Sequence, residues 1–155
     1  MPKRKYNDNN KLPQEQYDPK AIWFNANLFL KAAERCGSEG DGHDWLAVPE
    51  IVNRAFACEL FMKCIVLIQE TEQPAHTHNL KELFNLLLPN IQSEIRANLS
   101  SLCEDFDLRL AEISDLFEEC RYVFEYRSMS LNLPFLRKLT HLLWTISAKL
   151  VSGLT

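Results

Sequence analysis

No stretch of this chain approaches the ~20 consecutive apolar residues a bilayer-spanning helix needs, so the sequence is read without a membrane span. The opening MPKRKYNDNNKLPQEQ carries positive charge with no apolar run behind it, and is read as neither a secretory signal nor an anchor. An excess of basic charge is also missing. Lys and Arg number 17 against 21 Asp and Glu, giving a formal net charge of -4, which argues against general electrostatic attachment to nucleic acid and leaves only a local patch. The five cysteines, Cys36, Cys58, Cys64, Cys103 and Cys120, include no CxxC pair. Most fall within apolar helical patterns and read as reduced thiols of a cytoplasmic protein.

Metal and phosphate-loop signatures are equally scarce. His76 and His78 have no cysteine pair near them, and only Glu82 follows His78 at helical ligand spacing, so no metal and no cofactor is expected. The glycines of GSEGDGHD lack both the Gly-Lys-Ser/Thr ending and the preceding strand of a phosphate loop. The same segment lacks the spacing and closing Glu of a calcium loop. Strand-period alternation and internal repeats do not occur.

What remains is helical. With 155 residues and 46% apolar content the chain suffices for one continuous core, and it is read as a single all-α, up-and-down bundle of five or six helices over residues 18–155. Residues 1–17, polar and without period, are expected to form a flexible arm. The first helix is expected from Asp18, an N-cap carboxylate followed by Pro19, to about Gly37, with Ile22, Trp23, Ala26, Phe29, Leu30 and Ala33 along one stripe. A second, over 48–69, is apolar nearly all round, which marks a central helix with Leu60 and Leu67 inside. Its exceptions, Glu59 and Lys63, stand four apart in the favourable order for a helical ion pair, either at the bundle's rim or lining a polar cleft.

Beyond Pro74 a third helix is expected to start at Asn79, with Glu82 completing a capping box. Pro89 interrupts it, and a fourth runs to about Cys103. A fifth, over 106–126, carries Phe106, Leu110, Ile113, Phe117, Cys120 and Phe124 at four- and three-residue steps. RSMSLNLP is read as a loop ending at Pro134, with a last amphipathic helix behind it.

Four segments in order resemble the HEPN family: Trp45 with VPEIVNRAFACELFMKCIVLI, then HTHNLKELFNLLLP, then LFEECRYVFEYRS, then the closing helix. The resemblance covers about residues 20–150. It implies a helical bundle that dimerises, and many members are metal-independent endoribonucleases with Arg, four to six residues, then His near the end of a late helix. Such chemistry needs a fixed cation for phosphate charge and an imidazole to exchange protons. Here Arg121 matches the Arg position, but after four residues Tyr126 stands where the His is expected, and Tyr122 follows Arg121 directly. Tyrosine ordinarily titrates near ~10 and supplies little base at neutral pH, though it still donates a hydrogen bond.

The resemblance therefore implies a noncatalytic HEPN-like module binding a nucleotide, RNA or protein partner through Arg121, Tyr122, Tyr126, Glu59 and Lys63 and, by family habit, forming a homodimer. Two alternatives stand beside it. One is a metal-independent endoribonuclease of toxin or defence type, in which Arg121 works with Tyr126 or with His141 from a partner chain. The other is a helical scaffold without ligand, in which Glu118, Arg121 and Glu125 are ordinary surface pairs. Arg137 and His141 share a helical face, but their spacing misses the family's range, and they read as a solvated edge.

Overall fold

The computed structural model describes residues 17–37, 46–69, 77–114, 116, 120 and 131–154. Among them the chain is all-α, with helices α1 (Pro19–Gly37), α2 (Ala47–Ile68), α3 (Leu80–Asn85), α4 (Pro89–Leu99), α5 (Phe106–Ser114) and α6 (Leu133–Ser152) and no strand. The starts follow local chemistry. The Asp18 carboxylate accepts the Lys20 N–H at 2.9 Å ahead of Pro19. Asn79 accepts the Glu82 N–H at 3.0 Å, and Asn132 accepts the Phe135 N–H at 3.0 Å. Each satisfies a donor that a helix leaves orphaned at its first turn. At α3 the Glu82 carboxylate takes the Thr77 hydroxyl, and Thr77 in turn accepts the Asn79 N–H at 3.0 Å, so Glu82 reaches the cap through Thr77 and not directly as a capping box would.

α2 lies at the centre, packed on α1, α3 and α6. α1 and α2 run antiparallel: the Cys64 thiol donates to the Pro19 carbonyl at one end, and Leu46 N–H to the Cys36 carbonyl at the other. α6 runs alongside α2 in the same direction, since Arg137 meets Glu50 and Thr140 meets Cys58. Phe61, Met62, Cys64 and Ile65 are fully buried, and removing each large apolar side chain from water is worth about 1.5–3 kcal/mol. Leu60 and Leu67 are only half-buried, a correction to the sequence reading: where nearly every face of a helix is apolar, periodicity does not say which residues lie innermost. Burial pushes the Cys58 and Cys64 thiols up to about 12, so both are inert packing groups.

The other end of the bundle is closed by Phe84, Phe106 and Phe135, whose ring centroids follow one another at 5.0 and 5.7 Å. Arg96 lies over the first two rings and holds Asp107 through two 2.9 Å hydrogen bonds, tying α4 to α5. α4 stops at Leu99, short of the expected Cys103. The Ser100 hydroxyl turns back onto the Ala97 carbonyl and Leu102 N–H bonds the Leu99 carbonyl, a tight turn that ends the helix. Leu116 and Cys120 continue the buried seam expected of the fifth helix. The remainder of its expected span, with the 1–16 arm, lies outside the described residues.

Candidate functional site

Two polar clusters interrupt the apolar faces of α2. The first is centred on Glu59, whose side chain is 8% exposed. Its Oε1 accepts a hydrogen bond from Lys63 Nζ at 2.7 Å, one helical turn on, and stands 2.8 Å from His78 Nδ1. A carboxylate this buried needs such partners, because an unpaired charge out of water costs several kcal/mol (roughly 3–5). Lys63 is partly buried, while the His78 side chain is 74% exposed, so the imidazole roofs the pair and turns its far edge to solvent. His78 reaches this place because the Asn79 cap ends the incoming segment directly above α2.

The second cluster is centred on Glu50, which has no exposed surface. Its carboxylate takes Arg54 Nε at 2.8 Å, and Arg137 Nε and Nη2 at 2.7 and 2.8 Å. Two guanidiniums thus share one carboxylate, and buried Arg54 Nη1 has no hydrogen-bond acceptor among the described residues. Close by, His141 Nε2 stands 3.3 Å from the Glu34 carboxylate across the α1–α6 seam. Arg137 is therefore a clamp on a buried acid joining α6 to α2, at the solvent-facing edge where the sequence reading set it. This clamp reads as structural, since the charges face each other.

Of the residues named from sequence, Glu59 and Lys63 come together as expected, and line the rim cluster. Arg121, Tyr122 and Tyr126 lie outside the described residues, as do Glu118 and Glu125. His78 was missed as a member, although the one available signal, a histidine directly before a strong Asn N-cap, was in the sequence. Arg137 had no signal, since its partner Glu50 is 87 residues away, whereas Glu50 and Arg54 stand four apart in the same order as Glu59 and Lys63, a local signal the sequence reading did not take up. A separate open groove of about 480 Å³ lies between the α4–α5 turn and Asn132. It contains none of the candidate site residues named from sequence, and its Arg109 is already bonded to Glu112 at 2.8 Å. Among the described residues no group of three or more His, Cys, Asp and Glu is arranged to hold a metal ion, and no helix is long and apolar enough to cross a membrane.

No family model, no curated protein and no solved structure matches this chain.

Proposed function

We propose that this chain is a noncatalytic HEPN-like module that binds a phosphate-bearing ligand, a nucleotide or RNA, and works as a homodimer in the cytoplasm. The observation that carries the reading is the Glu59 cluster: a buried carboxylate held by Lys63 and His78 occupies the middle of a helix whose packing favours apolar residues. Such a cluster costs desolvation, which suits a site better than a scaffold. The absence of catalysis is argued from the motif. Arg121 keeps a forked cation for phosphate, whereas Tyr126 is a poor exchanger of protons near neutral pH.

The test combines ligand-induced stabilisation with an RNA cleavage assay on the purified chain. The wild type is expected to be stabilised by nucleotide or RNA and to cleave RNA weakly or not at all, with Arg121→Ala removing the stabilisation. Efficient metal-independent cleavage that Arg121→Ala abolishes would establish the endoribonuclease reading instead. Stabilisation by neither ligand would favour a protein partner or a scaffold. The dimer is checked by light scattering at micromolar concentration, where the mass should be twice the 18.0 kDa of the chain.

A further inference from the structure

We infer that His78, seated on the buried Glu59 carboxylate beside Lys63, is a phosphate-contacting residue of a proton-linked anion site at the junction of α2 and α3. The inference rests on the phosphate-binding reading above and deepens it.

Geometry fixes how the ring presents itself. His78 Nδ1 faces Glu59 Oε1 at 2.8 Å, so that nitrogen carries the proton of the neutral ring and Nε2 is turned away from the carboxylate. With 74% of the side chain exposed, that edge is open to a ligand. In the neutral ring Nε2 offers a lone pair, which a phosphate oxygen does not accept, and Lys63 and Glu59 cancel. A second proton makes Nε2 a donor and leaves the cluster with one net positive charge, the combination a phosphate oxygen requires. Lys63 Nζ spends one of its three donors on the same oxygen that holds His78, so ammonium and imidazole stand within reach of a single phosphate.

Among the described residues, three elements bring charged or polar groups toward His78. From α2 the charged groups are Glu59 and Lys63. On α3 the Glu82 carboxylate, which keeps its negative charge, accepts the Thr77 hydroxyl. Lys81 is exposed on α3, and from α5 the neighbour to that helix start is the uncharged Ser114, which accepts the Lys81 N–H at 3.1 Å. If the cluster were only a surface ion pair at a helix entrance, ligand affinity would be indifferent to the state of His78.

The experiment titrates the full chain with fluorescein-labelled single-stranded RNA, and separately with ADP, at about pH 5.5 and about pH 8, which bracket the ordinary imidazole range. The wild type is expected to bind at least one of the two about tenfold more tightly at the lower pH, and the one that binds identifies the source of the phosphate. His78→Gln keeps a donor for Glu59 but has nothing to protonate. It should fold as the wild type does and bind at both pH values with the wild type's weaker affinity. His141→Gln should keep the wild-type ratio. If His78→Gln keeps that ratio, or the wild type shows none, the inference is overturned while the phosphate-binding reading stands. If the wild type binds neither probe at either pH, both are overturned together.

Discussion

Gly37, the last residue of α1, lies so close to Glu50 that a Cβ built there would stand 2.7 Å from the carboxylate carbon. A flexible side-chain end would ordinarily move aside, but this one is held by Arg54 and by both hydrogen bonds from Arg137. Within a helix, Gly→Ala normally gains about 0.5–1 kcal/mol. Gly37→Ala is expected instead to lose about 1–3 kcal/mol, because it forces apart either the helix contact or the clamp. A urea titration reads the sign, and a raised midpoint would mean that the Glu50 carboxylate is free to relocate. None of this was legible in the sequence. Residue Gly37 looked like an ordinary helix stop, and the acid it faces gave no local sign of being buried.

Single elements were far more legible, and the reason is that their signals are local. Asp18 with Pro19, and Asn79, cap the helices whose starts they announce, since each needs only the next three residues to act. The depth of each residue in α2 was not legible, because it depends on which neighbours the helix meets. Phe61→Ala, in a fully buried position, should cost about 3–5 kcal/mol, whereas half-buried Leu60→Ala should cost only about 1 kcal/mol. Equal losses in chemical denaturation would contradict the observed facing of α2. The α4–α5 tie adds a pH dependence. Hydrogen bonds from Arg96 hold the Asp107 carboxyl below its ordinary range. A group depressed on folding stabilises above its unfolded value and loses that contribution as the pH falls through its folded one. Asp107 is well exposed, so the pair is worth at most about 1 kcal/mol. Asp107→Asn should therefore melt slightly below the wild type at neutral pH, and the gap should close by about pH 2.

At the scale of the whole molecule, charge decides how a phosphate-bearing ligand is held. The chain is net negative, and among the described residues Arg54, Arg96, Arg109, Arg137 and Lys63 all bond carboxylates. Those five cations are therefore already engaged, which leaves fewer among the described residues for the backbone of a nucleic acid to track. Binding, on the reading proposed above, depends on a few contacts, those of Lys63, His78 and Arg121. Each phosphate neutralised on a single strand contributes about -0.7 to the slope of log affinity against log salt, so about three contacts give a slope near -2. That is shallow beside proteins that make many phosphate contacts, for which slopes near about -10 occur. The measurement is RNA affinity across a salt series at about pH 5.5, the condition in which the inference above expects tighter binding. Removing one contact with Lys63→Met should flatten the slope by about 0.7 and weaken binding to every RNA sequence alike. A steep slope in the wild type would mean that many more cations engage the strand than this cluster holds, and would move the binding surface elsewhere on the molecule.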